Sequence, residues 1–392
     1  MRTLPPSANF AAWFLPLLPL LLLMRATEAS RAFVPGMVAV TTPNSLAEAR
    51  EPQIAVAENG TIYIAFGAGD AVYCSVSRDG GGTFAAPVKV AETGKLALGM
   101  RRGPRIALAG KTVVISAVYG QQGKGQDGAL FAWHSNDGGK TWGGPARVSD
   151  APGAAREGLQ AMSASPDGKI VACAWLDLRA KGTQIYSSLS HDGGMTWGKN
   201  LRIYASPDGT VCECCHPSLA FDAKGGLFVM WRNALGGARD MFLARSHDNG
   251  VTFGPAEKLG VGTWPLNACP MDGGALAAAR NNAITTFWRR DQQIFLCTPG
   301  GTERLIGRGQ QGWAASGPGG VTLVWLEGRP GRVRAMLPGA GADQQLADLG
   351  NDPVVAAPAS GNGPVVAAWT SRTKGTEGIR SRVLIPQTGT VK

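Results

Sequence analysis

Charged residues are scarce in this 392-residue chain, at 17% of the sequence, and they form no long block of one sign. Basic residues do not alternate with aromatic ones either, so the usual sequence features of a nucleic-acid-binding protein are missing. No apolar segment after residue 24 is long enough to span a bilayer. These absences exclude nucleic acid as a partner and argue against a membrane-spanning mature chain.

Histidine and tyrosine are also rare, with four and five residues, and no tyrosine follows Tyr204. Glycine, with 55 residues, and proline, with 25, are abundant. Short apolar runs lie between these turn-forming residues, so the composition indicates an all-β protein with many turns. The net charge of +10 favours an anionic ligand.

The N-terminal segment has the features of a secretion signal. Arg2 precedes a leucine-rich apolar run over residues 10–24, and the run ends near a small-residue cleavage site at Ala29. Pro16 and Pro19 interrupt the run, which is too short for a permanent membrane anchor. We therefore expect residues 1–29 to be removed, residues 30–392 to form one domain, and the protein to be periplasmic or secreted.

A short motif recurs four times at even spacing. Residues 190–197 read Ser-His-Asp-Gly-Gly-Met-Thr-Trp, and close copies at residues 77–84, 135–142 and 246–253 share the pattern Ser-x-Asp-x-Gly-x-Thr-aromatic. The serines lie 58, 55 and 56 residues apart, a spacing typical of a solenoid or a propeller. Aspartate, glycine and threonine are common in turns between strands, so we interpret the motif as structural rather than as a ligand site.

With these four motifs the chain resembles the Asp-box, or bacterial neuraminidase repeat, proteins, which include the sialidase-like β-propellers. The resemblance covers nearly all of the chain after residue 32 and implies a single all-β propeller. For a sialidase it also implies three arginines that bind a sugar carboxylate, an aspartate acid/base and a late tyrosine nucleophile. That tyrosine and a Phe-Arg-Ile-Pro motif are missing from the sequence, so the usual tyrosine mechanism is not expected.

A second repeat predicts the strands of each blade. In the first unit, residues 52–56, 60–66, 71–76 and 87–90 are four short apolar segments separated by turns. The first of these segments recurs from Pro104, Leu159, Pro217, Pro270, Gly312 and Pro353. The sequence therefore predicts seven blades, with six as the alternative. Residues 37–42 are predicted to complete the last blade beside residues 378–385 and so to close the ring.

Arginines are frequent in the loops that enter the first strand of each unit and in those that join its second and third strands. In a propeller these loops share one end, here called the loop face, where ligands are expected. A guanidinium group is a planar donor that suits carboxylate, sulfate or phosphate. The predicted anion-binding residues are Arg50, Arg102, Arg179, Arg232, Arg239 and Arg289. The alternative is that each arginine pairs with a nearby carboxylate or is simply solvated.

Carboxyl groups in the same loops are candidates for catalysis, because a glycosidase can work with two carboxyl groups at a suitable separation. The predicted catalytic residues are Asp177, Asp240, Asp272 and Glu213, and Glu157 is a further candidate. The sequence does not select a pair among them.

The segment Cys212-Glu213-Cys214-Cys215-His216 is the motif that a propeller scaffold explains least. Cys269 and Met271 are predicted to face it from the next blade, and the candidate metal ligands are Cys212, Cys214, Cys215, His216, Cys269 and Met271. Sulfur ligands with an imidazole suit Cu(I) or Zn. Disulfides are the first expectation in an exported protein, with a metal site or a reactive thiol as alternatives. Cys74, Cys173 and Cys297 fall in predicted strands and are expected in the core.

The leading functional hypothesis is an exported sialidase-like protein that binds an anionic glycan or another small anion, with hydrolysis left open. One alternative is a protein that binds or handles Cu or Zn through the cysteine motif. Another is a non-catalytic interaction scaffold. The sequence indicates no other cofactor, and it leaves the oligomeric state open.

Overall fold

The computed structural model of the chain describes residue 1 and residues 36–41, 46, 48–123, 125–375 and 377–385. Residues 2–29 of the predicted secretion signal lie outside the described residues. Within the unit Val34–Lys392, the described residues form 28 strands and no helix, which confirms the all-β prediction. Accordingly, no described segment is a helix long and apolar enough to cross a membrane.

The strands pair antiparallel in six hydrogen-bonded sheets and are numbered along the chain. Strand β1 (Val38–Ala39) belongs to the last sheet. The first sheet contains β2 (Arg50–Val56), β3 (Ile62–Ala68), β4 (Ala71–Ser77) and β5 (Val88–Ala91). The second contains β6 (Lys95–Leu96), β7 (Arg105–Ala109), β8 (Thr112–Gly120), β9 (Ala129–Ser135) and β10 (Gly143–Arg147). The third contains β11 (Gln160–Ala164), β12 (Val171–Asp177), β13 (Gln184–Ser190) and β14 (Leu201–Tyr204).

The next two sheets also have four strands each. The fourth contains β15 (Ser218–Phe221), β16 (Leu227–Arg232), β17 (Met241–Ser246) and β18 (Glu257–Lys258). The fifth contains β19 (Gly274–Ala278), β20 (Ile284–Arg290), β21 (Gln293–Cys297) and β22 (Arg304–Arg308). The sixth contains β23 (Gln310–Gly317), β24 (Gly320–Gly328), β25 (Gly331–Met336), β26 (Gln344–Ala356), β27 (Val365–Ser371), β28 (Gly378–Ile385) and β1.

The long strand β26 explains why the last sheet is larger than the others. Its first part pairs with β25 and its second part with β27, so one strand belongs to two successive groups. At the edge of this sheet β1 pairs with β28, with Val38 opposite Ser381, which is the pairing predicted for the two ends of the chain. Residue 42 of the predicted strand lies outside the described residues. Because β26 fuses two groups into one sheet, the count of seven blades stays a prediction.

The first strands of successive groups lie side by side around a cavity of about 300 Å³. Neighbours in this series are in contact, and β26 in turn contacts β2; the strands are β2, β7, β11, β15, β19, β23 and β26. Alanine supplies much of the wall, because closely spaced inner strands leave little room for large side chains. This radial arrangement is the one that the resemblance to β-propellers implies.

The hydrophobic core lies between adjacent sheets rather than at the axis. Trp231 on β16 is fully buried and shares an apolar cluster with Leu176 and Ile185 of the third sheet. Trp175 and Trp369, at equivalent positions on β12 and β27, are also fully buried. Truncating a buried aromatic residue to alanine costs about 3–5 kcal/mol, so these tryptophans are major contributors to stability.

The four turn motifs share one hydrogen-bond pattern. In the first, Asp79 accepts hydrogen bonds from the main-chain N–H of Thr83 (3.0 Å), from its hydroxyl (2.6 Å) and from the Ser77 hydroxyl (2.8 Å). The same contacts recur around Asp137, Asp192 and Asp248. Gly194 in the third motif has a φ of 86°, and a Cβ there would lie 2.7 Å from Val114 of the preceding sheet. These contacts support the structural interpretation of the motif.

The predicted start of the first strand in the fifth sheet was wrong. The first strand of the fifth sheet begins at Gly274 and not at Pro270. The pairing of β19 with β20 starts only at Gly274, opposite Trp288, and Asp272 instead accepts a hydrogen bond from the main-chain N–H of Gln311 (2.8 Å). The segment before Gly274 is therefore part of the loop face.

Candidate functional site

Arg232 connects several loops of the loop face. Its Nε donates to the main-chain oxygen of Asp272 (3.1 Å), and its two terminal nitrogens donate to the main-chain oxygens of Arg239 (2.6 Å) and Arg289 (2.9 Å). Its own main-chain oxygen accepts a hydrogen bond from the N–H of Cys212 (3.0 Å). One buried side chain therefore holds together segments that are distant in sequence.

Three of the six predicted anion-binding arginines use every side-chain nitrogen in contacts within the protein. Arg232 is the first. Arg102 contacts Glu157 through Nε (2.5 Å) and Nη2 (3.4 Å), and its Nη1 donates to the main-chain oxygen of Gly99 (3.2 Å). Arg179 contacts Asp177 through Nε and Nη2 (both 2.9 Å), and its Nη1 contacts Asp150 (2.7 Å). For these three residues the structure supports a structural role.

The other three arginines keep free donors. Among the described residues no partner is found for the terminal nitrogens of Arg239, whose Nε donates to the main-chain oxygen of Ala268 (3.4 Å). Arg289 uses Nε on the main-chain oxygen of Asp291 and Nη1 on Gln310 (3.2 Å), which leaves Nη2 free. Arg50, on the first sheet, has a buried Nε for which the described part of the chain provides no partner. The structure thus divides the six predicted arginines into three that use all side-chain nitrogens within the protein and three that keep at least one nitrogen unused among the described residues.

Two of the predicted catalytic carboxylates are engaged by their neighbours. Asp177 is fully buried and accepts three hydrogen bonds from Arg179, two from its guanidinium and one from its main-chain N–H. Asp240 accepts hydrogen bonds from the main-chain N–H of Trp264 (2.8 Å) and the Thr263 hydroxyl (3.0 Å), and it lies 3.1 Å from the Lys258 ammonium group. Glu213 contacts only the Thr210 hydroxyl (3.1 Å) among the described residues, at an exposed position. No three of the four predicted carboxyl groups approach within 4.8 Å of one another in the described part of the chain.

Asp272 differs from the other three. It is buried, its Oδ2 accepts the N–H of Gln311, and its Oδ1 has no partner among the described residues. Burial raises the pKa of Asp272, although the Gln311 hydrogen bond and the positive charges of Arg232 and Arg289 oppose this shift. Because its Oδ2 lies 3.9 Å from Nη1 of Arg289, Asp272 is near this guanidinium without a hydrogen bond to it. We call Arg239, Arg289 and Asp272 the arginine patch.

The sulfur atoms of Cys212, Cys214 and Cys215 converge. Their Sγ atoms lie 3.7 Å apart for Cys212 and Cys214, 3.5 Å for Cys212 and Cys215, and 4.0 Å for Cys214 and Cys215. A disulfide bond is about 2.05 Å long, and all seven cysteines of the chain are free thiols in this structure. The structure therefore does not contain the disulfides that the sequence analysis favoured. The three sulfur atoms form a triangle of non-bonded thiols instead. Their ligand atoms are close enough to hold a metal ion.

The second predicted segment lies against this three-cysteine group, but not with every residue expected. Met271 packs against the three thiols. Cys269 is exposed and does not belong to the group. His216 lies outside the group as well, because its buried ring stacks on Trp313 with 5.7 Å between the ring centroids. Burial lowers the pKa of His216 well below its usual value, and the positive charges of nearby arginines add to the shift.

A comparison with known protein families identifies the family to which this fold belongs. Residues 71–298, more than half of the chain, match the BNR repeat-like domain. The chain belongs to this family. A search of curated proteins finds no match.

Solved structures share the fold of this BNR-repeat domain at low sequence identity. The α-L-arabinanase of Penicillium chrysogenum, complexed with arabinobiose, is 13% identical with a TM-score of 0.55, over 90% of this chain and 98% of that one. A Hadza microbial sialidase is 14% identical with a TM-score of 0.52, over 87% of this chain and 66% of that one. Virginiamycin B lyase from Staphylococcus aureus is 11% identical with a TM-score of 0.52, over 89% and 99%. These likenesses show the β-propeller fold.

Sequence reasoning did not select two buried carboxyl groups of this BNR-repeat domain. Glu51 accepts hydrogen bonds from the main-chain N–H groups of Gly99 (2.8 Å), Arg102 (3.2 Å) and Gly103 (2.9 Å). Burial, followed by the negative charge of Glu51, raises the pKa of Asp352 to about 6. A local signal existed, because each of the two residues directly precedes a proline at the entry to a first strand. Both have a φ above 50°.

Two buried arginines lie near the same carboxyl groups. Nη2 of Arg101 donates to the main-chain oxygens of Gln311 (2.6 Å) and Pro353 (2.9 Å), and its guanidinium lies 5.1 Å from the ring centre of Trp313. Nη2 of Arg105 donates to the main-chain oxygen of Arg101 (2.6 Å). Arg105 and Trp313 line the central cavity, whereas no residue of the arginine patch does. The cavity and the arginine patch are therefore separate candidate sites.

Proposed function

We propose that this chain binds an anionic carbohydrate at the arginine patch of its loop face. The observation that carries the proposal is that Arg239 and Arg289 keep terminal nitrogens free of protein partners while Arg232 holds their main chains in place. A guanidinium group held in this way can donate paired hydrogen bonds to a carboxylate or a sulfate. Because the protein has already restricted its position, less conformational entropy is lost on binding.

Aromatic packing supports the same site. The guanidinium groups of Arg232 and Arg289 lie 5.2 Å and 5.5 Å from the ring centre of Trp264. Such cation–π contacts orient the plane of a guanidinium group without using its hydrogen-bond donors. Burial raises the pKa of Asp272, the carboxyl group nearest to the Arg289 guanidinium in the patch, at 3.9 Å.

A carbohydrate is favoured over other anions by the structural relatives. The arabinanase with the same fold is described as complexed with arabinobiose, and another relative is a sialidase. These proteins show that the fold accommodates sugars, and the arginine patch of this chain adds the preference for a negative charge.

Binding, rather than hydrolysis, is the activity that we propose. Glycoside hydrolysis commonly requires two carboxyl groups about 5–10 Å apart, one on each side of the scissile bond. Asp177 and Asp240 use their oxygens on neighbouring residues, so they are poor partners for Asp272.

Calorimetry with the purified chain tests the proposal. Neutral arabinobiose is compared with oligogalacturonate and sialyllactose, which carry carboxylates. We expect the carboxylated sugars to bind at least about tenfold more tightly, and Arg289→Gln to lower their affinity about tenfold, since a charged hydrogen bond contributes about 1.5–3 kcal/mol. Arg202→Gln, at an exposed position of β14, is the matched control and should leave the affinity unchanged. Equal affinity for neutral and anionic sugars would refute the proposal.

A further inference from the structure

We propose that Cys212, Cys214 and Cys215 form a three-coordinate thiolate site for one monovalent copper ion. The three Sγ–Sγ distances define a triangle whose centre lies about 2.2 Å from each sulfur, close to the ~2.3 Å of a metal–thiolate bond. A metal ion could therefore be bound without a rearrangement of the backbone. None of the three cysteines belongs to the arginine patch, so the copper proposal does not rest on the proposed carbohydrate binding.

Local sequence explains why the three thiols meet. The chain turns at residues 213–214, so the side chains before and after the turn point to the same side. The N–H of Cys212 is fixed by the main-chain oxygen of Arg232. Glu213, between the cysteines, is exposed, whereas the three cysteines are at most 7% exposed. The turn thus separates three buried sulfur atoms from the one charged residue of the motif.

The three sulfur ligands favour Cu(I) over zinc. The group contains sulfur atoms only, because neither His216 nor a carboxylate belongs to it. Zinc sites in proteins are almost always four-coordinate, whereas thiolate and thioether ligands favour Cu(I). The side chain of Met271 packs against the three cysteines, so the surroundings of the site are apolar.

Arg232 provides charge compensation. Three thiolates with one Cu(I) ion carry a net negative charge, which is costly to bury unless a positive group lies nearby. Arg232 is buried, its main-chain oxygen accepts the N–H of Cys212 (3.0 Å), and its Nε donates to the main-chain oxygen of Asp272 (3.1 Å), the residue after Met271. The loop face therefore offers both the ligands and a counter-charge.

Anaerobic titration of the purified chain with Cu(I), buffered by a chelator, tests the site. We expect one Cu(I) ion per chain, a higher affinity for Cu(I) than for Zn²⁺, and an increase in thermal stability on binding. X-ray absorption of the loaded protein should detect three sulfur neighbours at about 2.2 Å. Cys214→Ser should weaken Cu(I) binding by about a hundredfold or more, because loss of an outer-shell partner already costs 10–100-fold. Cys269→Ser removes an exposed thiol outside the group and should have no effect.

Several results would overturn the proposal. One is an unchanged Cu(I) affinity in Cys214→Ser, and another is tighter binding of Zn²⁺ than of Cu(I). A third is a disulfide within the group that forms again when the reduced protein is reoxidised in the presence of Cu(I). If the serine variant does not fold, X-ray absorption of the unsubstituted chain decides, since nitrogen or oxygen neighbours would contradict an all-sulfur site. Arg289→Gln should leave Cu(I) binding intact, so failure of the carbohydrate proposal and failure of the copper proposal are distinguishable.

Discussion

Arg232 connects the two candidate sites of the loop face, because its main-chain oxygen accepts the N–H of Cys212 at 3.0 Å while its side chain contacts the arginine patch. On one side of it lies the three-cysteine group. On the other side its guanidinium holds the main chains of Arg239, Asp272 and Arg289. The positions of the sulfur ligands and of the free arginines therefore depend on the same buried cation.

Arg232→Lys should lower the free energy of unfolding by about 3 kcal/mol, because one ammonium group cannot replace a guanidinium that spans three main-chain oxygens. Urea denaturation measures the change, and Arg202→Lys at an exposed position serves as the control. A loss below about 0.5 kcal/mol, the range of ordinary surface substitutions, would show that the three contacts are not important for stability.

Asp177→Asn should destabilise the protein by about 3 kcal/mol without altering the affinity for an anionic sugar. Asp177 is fully buried, and its loss leaves Arg179 without its main partner. Unfolding and sugar titration are measured on the same preparation. A variant of normal stability that no longer binds the sugar would identify Asp177 as a binding residue instead.

Asp352 should make stability decrease as the pH rises. Burial, together with the charge of Glu51, raises the pKa of Asp352 from 3.8 to about 6. The folded state therefore binds this proton more tightly than the unfolded state, and the contribution is complete below pH 4 and lost as the pH passes 6. Between pH 4 and pH 7.5 the loss is on the order of 2 kcal/mol. Asp352→Asn should remove this part of the pH dependence in urea unfolding; identical profiles for the two proteins would count against it.

Asp79→Ala should lower the free energy of unfolding by about 1–2 kcal/mol, because three hydrogen bonds within the first turn motif are lost. The matched control is Asp348→Ala, which removes an exposed aspartate with a single side-chain contact, to Gln345. If the two substitutions have the same small effect, the motif does not stabilise the turn in the way proposed.

The chain should release little or no sialic acid from reporter sugars, because no tyrosine follows Tyr204. A fluorogenic sialoside assay with the purified chain measures this directly. Turnover in the range normal for enzymes, roughly 1–1000 per second, would mean that another residue replaces the missing nucleophile.

Short-range patterns made much of the fold predictable. The Asp79 turn and the four strands of the first sheet depend on residues close together in sequence, and both were recognised from turn chemistry and apolar runs. The repeat also placed Met271 beside the Cys212–Cys215 turn, because equivalent loops of adjacent units meet at the same end. The start of β19 was missed because Asp272 pairs with Gln311, a residue distant in sequence, and such a contact has no local signature.

The sequence by itself determined the all-β class, the repeated turns and the close approach of the two cysteine-containing segments. The tertiary structure decided which side chains remain available for ligands. Arg179 meets Asp150 across 29 residues, whereas Arg289 contacts Gln310 through Nη1 and has no partner for Nη2 among the described residues. Likewise His216 turns to Trp313 instead of the thiols. The physical reason is that a charged or polar side chain takes the partner that packing between sheets brings within about 3 Å, and that partner is usually distant in sequence.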